Sequence, residues 1–172
     1  MDLLNGRITR VKYCEECDIY RPPRTIHCGL CECCIERLDH HCPWIGTCVG
    51  KRNYKYFLLF LWSVFLSVCY GIIFGIIHTT HNMHDDSEVD PGKFTISQIT
   101  SIIIVTLAAF LGIFVFFLFG YHQYLLCRNE TTNENLKKTF GKLGNPFYRG
   151  CCDNLKHLFR RDKRNWKPEQ VI

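Results

Sequence analysis

The sequence predicts an α-helical integral membrane protein with two transmembrane helices and a small cysteine-rich domain of short hairpins and loops. Two observations carry this prediction. Residues 56–77 and 94–127 contain no charged side chain, and eight of the 12 cysteines precede Gly50. Each uncharged run is long enough to cross a hydrocarbon core about 30 Å thick as a helix. A chain of 172 residues could bury a soluble core, but the apolar residues are concentrated in the two runs.

Changes of composition divide the chain into six segments. The mean hydropathy is near zero because polar segments average against two apolar helices. In order, we predict a leader, a cysteine-rich domain, a transmembrane helix, an exoplasmic loop, a second transmembrane helix and a cytosolic tail, at residues 1–12, 13–50, 56–77, 78–97, 98–127 and 128–172.

Charged residues beside the two runs predict how the chain crosses the membrane, because cytoplasmic flanks carry an excess of Lys and Arg. Basic residues precede the first run and follow the second: Lys51, Arg52 and Lys55, then Arg128, Lys137, Lys138 and Lys142. The segment between the runs is acidic, with Asp85, Asp86, Glu88 and Asp90 against Lys93. We therefore expect a multi-pass protein with both termini in the cytosol.

The cysteines of residues 13–50 have the spacing of metal ligands. Cytosolic thiols are kept reduced, so metal ligation is favoured over disulfides. Cys14-x-x-Cys17 and Cys28-x-x-Cys31 are chelating pairs, because two intervening residues let both thiolates face one tetrahedral ion. Further candidate ligands are Cys33, Cys34, Cys48, His27, His40 and His41. Two sites with three Cys and one His each would leave a remainder, and spacing leaves open which residues are spare and whether the pairing is crossed or sequential.

Metal is also expected to hold this domain together, because residues 13–50 contain few aliphatic side chains. The later cysteines, Cys69, Cys127, Cys151 and Cys152, lack ligand spacing. For Cys151 and Cys152 we expect a pair of reduced thiols, with lipidation as an alternative.

The pattern over residues 14–48 resembles a known family. It reads Cys14-x2-Cys17-x9-His27-Cys28-x2-Cys31-x2-Cys34-x4-Asp39-His40-His41-Cys42-x5-Cys48. Every spacing matches the cysteine-rich domain of the DHHC palmitoyltransferases, as do Arg21-Pro22-Pro23-Arg24, Pro43-Trp44 and Asn53-Tyr54. The resemblance implies one zinc on Cys14, Cys17, His27 and Cys34, and a second on Cys28, Cys31, His41 and Cys48. It leaves Cys42 as the nucleophile and Cys33 as incidental.

The run Asp39-His40-His41-Cys42 has a chemical logic that agrees with this assignment. If His41 is bound to zinc, an extended chain places His40 and Cys42 together on the opposite side, because side chains alternate with period two. The imidazole can take the thiol proton, and the thiolate is the nucleophile towards a thioester. Asp39 is expected to fix the imidazole tautomer and stabilise its cation. Closed four-ligand sites leave no place for an activated water, so metal-assisted hydrolysis is disfavoured.

Two short motifs follow the second run. Thr131, Thr132 and Glu134 form a capping-box pattern, and they match the family's TTxE motif, which is expected to brace the cysteine-rich domain against the membrane. Asn145 begins Asn-Pro-Phe, which resembles the family's C-terminal motif. Farther on, apolar and basic residues alternate as in a helix on an anionic leaflet: Leu155, Leu158 and Phe159 with Lys156, Arg160 and Arg161.

The resemblance implies a protein-cysteine S-palmitoyltransferase. In its two-step reaction, Cys42 takes a long-chain acyl group from acyl-CoA and a protein cysteine then receives it. The implied partners are acyl-CoA, cytosolic-face proteins with membrane-proximal cysteines and membrane lipid, in an endomembrane (ER or Golgi) or the plasma membrane. Lys51, Arg52 and Lys55 are candidate contacts for the CoA phosphates, with topology as the simpler explanation. Within the family the sequence most resembles relatives of the yeast Ras palmitoyltransferase, which can need an accessory subunit.

Other classes of protein were weighed against this one. A RING-type ubiquitin ligase would need a further Cys-x-x-Cys after Cys48, and the sequence has none. A nucleic-acid-binding finger would need a basic recognition helix, but the apolar run begins within a few residues of Lys51. Family members normally have four spans, two of them before the cysteine-rich domain, so a catalytically silent membrane scaffold or an inactive fragment is the remaining alternative.

Overall fold

The computed structural model describes residues 2–4, 7–9, 11–85, 96–141 and 144–160. The chain forms two compact units, residues 1–57 with 123–172 and residues 58–122. We call the first the cysteine-rich unit and the second the helical hairpin.

The cysteine-rich unit contains short antiparallel hairpins, each of two strands. In the described residues the pairs are β1 (Asp2–Leu4) with β2 (Arg7–Thr9), β3 (Tyr13–Cys14) with β4 (Ile19–Tyr20), β5 (Thr25–Cys28) with β6 (Cys33–Glu36), and β7 (His40–Cys42) with β8 (Thr47–Val49). Isolated two-stranded hairpins are marginal in water. The apolar cluster here is also small, with Leu38, Cys28 and Cys48 buried against Ile26 and Ile35. We therefore expect crosslinks through metal to hold these hairpins together.

The described residues contain four α-helices. They are α1 (Tyr54–Asp85), α2 (Ile96–Arg128), α3 (Thr132–Leu136) and α4 (Cys151–Phe159). The first two are long and apolar enough to cross a membrane. The predicted fold class, two apolar helices with a cysteine-rich domain of short hairpins, is therefore confirmed.

The first long helix extends farther than the sequence predicted. Residues 78–85 were assigned to a loop, but they continue α1 to Asp85. The charge pattern marks where an apolar run ends, whereas the backbone hydrogen bonds of a helix can continue into polar sequence. The remainder of the acidic loop, residues 86–95, lies outside the described residues.

Aromatic and small side chains pack the helical hairpin. Phe119 stacks on Phe65 at 4.3 Å between ring centroids and meets Trp62 edge-on at 4.7 Å. A Cβ on Gly75 would lie 2.5 Å from Val105 Cγ2, so close approach of the helices requires glycine there. Gly71 and Gly75 lie four residues apart, a spacing that permits close helix packing, but Gly71 has nothing within 4 Å of a Cβ position. Most apolar side chains of this unit are exposed, as expected for a surface that faces lipid.

A disulfide and a hydrogen bond connect the end of α2 with α4. Cys127 is joined to Cys151, with a Cα–Cα distance of 4.1 Å. Buried Asn154 donates from Nδ2 to the carbonyl oxygen of Cys127 at 2.8 Å. The expectation of a reduced thiol is therefore wrong for Cys151 in this structure. Exposed Cys152 remains a free thiol.

Candidate functional site

Two clusters of cysteine and histidine lie in the cysteine-rich unit. In each cluster the candidate ligand atoms all lie within 4.8 Å of one another, and the residues are buried or half-buried. The first contains Cys14, Cys17, His27 and Cys34, and the second contains Cys28, Cys31, His41 and Cys48. Both are crossed sets of the kind that the family resemblance implied.

The distances in the clusters can be tested against zinc geometry. Tetrahedral zinc, with about 2.3 Å to sulfur and about 2.0–2.1 Å to nitrogen, places a sulfur about 3.6 Å from a nitrogen and about 3.8 Å from another sulfur. In the first cluster the His27 Nδ1 atom lies 3.5, 3.3 and 3.9 Å from the three sulfurs. In the second, the His41 Nδ1 atom lies 3.8, 3.4 and 3.5 Å from its three sulfurs. The donor sets therefore fit two closed zinc sites.

Strand pairing explains why the ligand sets cross. In the β5–β6 hairpin His27 lies opposite Cys34, and in the β7–β8 hairpin His41 lies opposite Cys48. Each pair contributes two ligands to one cluster. Adjacent strand residues point to opposite faces, so Cys28, next to His27, belongs to the other cluster. Cross-strand neighbours and alternation together generate the crossed arrangement.

The first cluster has a carboxylate behind its histidine. Glu16 makes an ion pair with His27 through the ring nitrogen Nε2, and Nδ1 faces the sulfurs. A carboxylate at this position fixes the tautomer and ring orientation of a metal-binding histidine. Glu16 lies between the two cysteines of a Cys-x-x-Cys unit, and the sequence prediction did not include it.

Cys42 ends strand β7, and a 3-10 turn over Pro43–Ile45 follows it. Gly46, at φ 63°, closes this turn and leads into β8. The glycine is needed because a side chain rarely adopts that conformation. The Cys42 side chain is a free thiol and is only 7% exposed. Since β7 is extended from His40, the side chains of His40 and Cys42 share one face, and His41 lies on the other.

Asp39 and His40 are held next to Cys42 by three hydrogen bonds. The Nδ1 atom of His40 lies 2.8 Å from Asp39 Oδ2. Thr132 donates its backbone N–H to Asp39 Oδ1 and its hydroxyl to Oδ2, each at 2.8 Å. Asp39 is 2% exposed, so these donors replace the water molecules that would otherwise solvate its carboxylate. The ring of Phe57 lies edge-on to His40, with 5.2 Å between centroids.

The electrostatics of this array favour a charged pair. The hydrogen bond with Asp39 raises the pKa of His40 above its usual value, and the contact with Cys42 adds to this against the opposing effect of burial. Burial alone raises the pKa of the Cys42 thiol, but the hydrogen bond with His40 and the nearby backbone N–H groups of Ile45 and Trp44 outweigh it, so that pKa is lowered. Thiolate and imidazolium therefore stabilise one another.

Within residues 13–50, Cys33 is the one cysteine besides Cys42 that lies outside the two clusters. Burial raises the pKa of its thiol, and the nearby cysteines, first Cys31, raise it further. A raised pKa suppresses the reactive thiolate. The two spare cysteines therefore differ in environment, since the pKa of Cys42 is lowered.

The segment after α2 reaches the cysteine-rich hairpins through a buried ion pair. Arg24 donates from Nε and Nη2 to the two carboxylate oxygens of Glu134, each at 2.6 Å. The two side chains are 7% and 6% exposed. Glu134 also completes a capping box with Thr131, whose hydroxyl accepts from the Glu134 N–H at 3.2 Å. These contacts join the first turn of α3 to Arg24, the residue that precedes β5.

Asn145 connects the Asn-Pro-Phe segment to the same region. Its Nδ2 donates to the backbone oxygens of Arg128 at 2.7 Å and Asn129 at 3.1 Å. Its Oδ1 accepts from the Phe147 N–H at 2.9 Å. The ring of Phe147 lies under the Arg24 guanidinium, 4.6 Å from its centroid.

The three basic candidates at the start of α1 differ in environment. Lys51 is paired with Glu36 at 2.6 Å. Lys55 lies over the ring of Tyr56, 4.9 Å from its centroid, and Arg52 is exposed. The Glu36 carboxylate partly neutralises Lys51.

Two more residues of this network were not singled out in the sequence. Arg37 donates to Asn129 Oδ1 at 2.7 Å across 92 positions of the chain. Burial, and then the charge of Arg24, lower the pKa of Arg37 to about 10, so it remains a cation at neutral pH. Asn129 follows α2 with φ 52°. An Asn just after a helix is a common C-terminal signal and could have identified that turn.

The fold and the site together define a class of protein. It is a membrane protein with a helical hairpin and a cysteine-rich domain that has two zinc-binding sites. Residues 8–139 match the family described as DHHC palmitoyltransferase. Palmitoyltransferase ZDHHC9 from Danio rerio is 39% identical over 162 residues, which are 88% of this chain and 41% of that protein. The human protein of the same name is 38% identical over 162 residues, 88% of this chain and 43% of its own length.

A plant relative gives the same result. Probable protein S-acyltransferase 6 from Arabidopsis thaliana is 36% identical over 156 residues, 91% of this chain and 38% of that protein. The chain thus spans about two fifths of the length of these relatives. The match of 8–139 covers most of the chain, and the chain belongs to the DHHC palmitoyltransferase family.

Proposed function

We propose that this chain carries the catalytic residues of a protein-cysteine S-palmitoyltransferase, which moves a long-chain acyl group from acyl-CoA to protein cysteines through an acyl-Cys42 intermediate. One observation carries this proposal. A buried carboxylate, an imidazole and a free thiol with a lowered pKa follow one another in the order Asp39, His40, Cys42. A base beside the thiol, oriented in turn by a third group, is an arrangement that activates a cysteine nucleophile.

The first step is formation of the acyl-enzyme. Asp39 accepts a hydrogen bond from Nδ1 of His40 and leaves Nε2 for the Cys42 thiol. The thiol proton moves to His40, and the sulfur attacks the thioester carbonyl carbon of acyl-CoA. The carbon–sulfur bond to CoA then breaks, and the departing CoA thiolate takes a proton from His40.

The second step transfers the acyl group. His40 takes the proton of an incoming protein cysteine, whose sulfur attacks the acyl-Cys42 carbonyl. The Cys42 thiolate leaves and is again stabilised beside the protonated histidine. The net reaction exchanges one thioester for another, so a good nucleophile is needed and a hydrolytic water is not.

Bound zinc supplies crosslinks in this mechanism. The second of the two clusters that would hold it contains both His41 and Cys48, which flank Cys42 in the β7–β8 hairpin. Four protein ligands close each site. Fixing these two residues fixes the strand that carries His40 and Cys42.

Several finer assignments belong to the same proposal. The chain lies in an endomembrane or the plasma membrane with both termini in the cytosol, and its protein substrates present membrane-proximal cysteines there. Arg52 and Lys55 are proposed contacts for the CoA phosphates, and Lys51 contributes less because Glu36 pairs with it. An accessory subunit is a proposed partner of the complete enzyme.

The test uses purified protein in detergent micelles with radiolabelled palmitoyl-CoA. We expect a covalent adduct that hydroxylamine releases, and transfer of the label to a cysteine peptide added afterwards. Cys33→Ser is the matched control, because it removes the other spare thiol of the same domain. We expect Cys33→Ser to label like the wild type. Labelling that persists in Cys42→Ser would refute the intermediate, and a zinc-loaded wild type that never labels would favour a silent scaffold.

A further inference from the structure

Asn129 lies where α2 ends and the segment towards the site begins. Its φ of 52° is in the left-handed region, which Asn tolerates better than most residues. Its N–H donates to the Leu126 oxygen at 3.1 Å, and the Glu130 N–H donates to the Leu125 oxygen at 3.1 Å. These bonds close the last turn of the helix. The direction in which the chain leaves α2 is therefore set at Asn129.

Every polar group of the Asn129 side chain has a partner. Its Oδ1 accepts from Arg37 Nη2 at 2.7 Å and from Arg24 Nη1 at 3.4 Å. Its Nδ2 donates to the Phe147 oxygen at 2.6 Å. The backbone oxygen of Asn129 accepts from Arg24 Nη2 at 2.9 Å. One residue thus ties the end of α2 to two cations of the cysteine-rich hairpins and to the Asn-Pro-Phe segment.

The consequence of this anchor appears three residues later. Thr132 directs both its N–H and its hydroxyl at Asp39, and Asp39 bonds His40. Two hydrogen bonds to the two oxygens of one carboxylate require the backbone of Thr132 to be placed within a fraction of an ångström. The chain from Asn129 to Thr132 is too short to absorb an error in the turn.

We propose that Asn129 is a positioning residue for acylation, which sets the turn after α2 so that Thr132 holds Asp39 and His40 beside Cys42. This inference rests on the proposed function. The side chain of Asn129 contacts Arg24, Arg37 and Phe147, and none of these is a reacting residue. Asn129 therefore acts on the reaction only through the residues that it positions. The effect belongs to the rate of acylation and not to the binding of acyl-CoA.

The test compares variants of the zinc-loaded protein in micelles. For Asn129→Ala we expect the rate of acyl-enzyme formation at saturating palmitoyl-CoA to fall about 30- to 100-fold, as small misplacements at a reacting group do. The KM for palmitoyl-CoA should change less than about threefold. Asn129→Asp keeps the acceptor for both arginines and tolerates the turn, so its rate of acyl-enzyme formation should be at least about tenfold higher than that of Asn129→Ala. Asn133→Ala is the matched control, since its Oδ1 is buried without a partner, and it should match the wild type.

Each other outcome overturns the inference. These outcomes are an unchanged rate in Asn129→Ala, a loss confined to KM, or an aspartate variant no better than alanine. If Asn129→Ala, Asn129→Gly and Asn129→Asp all lose zinc, Asn129 has a structural role only. The rate of Cys42 alkylation by iodoacetamide, read on its peptide, separates this inference from the proposed function. We expect alkylation to slow at least about tenfold in Asn129→Ala, even if the wild type forms no acyl-enzyme.

Discussion

Removing Arg24 should destabilise the cysteine-rich unit strongly, because its partner would stay buried. Arg24→Met retains much of the side-chain volume but leaves the Glu134 carboxylate, 6% exposed, without its bidentate donor. Loss of one partner of a buried ion pair costs about 3–5 kcal/mol. The nearby Arg37 charge partly compensates Glu134, so we expect about 3 kcal/mol. For a unit of about 100 residues this lowers the thermal midpoint by about 12–24 °C.

The assay is thermal unfolding of the zinc-loaded protein in micelles, with Lys51→Met as the matched control. Lys51 and Glu36 are also 2.6 Å apart, but their side chains are 23% and 42% exposed. An exposed pair contributes about 0–1 kcal/mol, so the control should shift the midpoint by a few degrees at most.

A second variant checks the reason for the effect. In Arg24→Met combined with Glu134→Gln no carboxylate is left without its cation, so the double variant should be more stable than Arg24→Met alone. Two results would refute the explanation by burial. One is an equal loss of thermal stability in Arg24→Met and Lys51→Met, and the other is a double variant that is less stable than Arg24→Met.

Three further predictions concern the reacting array and its support. The pKa of Cys42 is lowered, so its alkylation rate should rise with pH below the range of an ordinary thiol, and His40→Ala should move that rise to higher pH because only the backbone N–H groups of Ile45 and Trp44 then oppose burial; an unmoved profile would contradict the pairing. Thr132→Val removes one of the two bonds to Asp39 and should slow acyl-enzyme formation about tenfold with zinc retained, as measured by single-turnover labelling. Glu16→Gln should release the first zinc to a chelator about 10-fold faster or more, since it weakens the carboxylate behind the ligating histidine; an unchanged release rate would mean that Glu16 is a surface residue only.

The ligand clusters were accessible from the sequence because local rules generate them. The Cys-x-x-Cys spacing places two ligands on one ion. Alternation along a strand then sends His27 and Cys28 to different sites, as the structure places them. Spacing alone left the crossed pairing open, and the family resemblance supplied it. The pairing of strands, which puts His27 opposite Cys34, is the physical cause.

The bracing of the site was less accessible, because its contacts join residues far apart in the chain. Arg24 meets Glu134 across 110 positions, and Arg37 meets Asn129 across 92. A short motif shows that Glu134 caps a helix but does not show which cation reaches it. The Cys127–Cys151 disulfide was missed for a similar reason, since compartment chemistry argued for thiols while the fold brings the two residues together.

Hydropathy predicted the presence of the two long helices but not all of their details. Uncharged runs identified both long helices, because each run is longer than a membrane requires. They did not identify the end of α1, since polar residues extend it to Asp85. Packing positions were also only partly predicted, because a pair of glycines gives a spacing but not the face that meets a neighbour. Gly75 lies at a close approach and Gly71 does not.

The zinc content of Cys42→Ser, measured beside its labelling by palmitoyl-CoA, tests the central claim most directly. Cys42 lies outside both clusters, so we expect Cys42→Ser to retain two zinc ions per chain and to form no hydroxylamine-sensitive adduct. Cys48→Ser, changed at a ligand, should lose metal and fold together. Loss of zinc in Cys42→Ser would place Cys42 among the ligands, and an adduct in it would place the nucleophile elsewhere; either result would contradict the account.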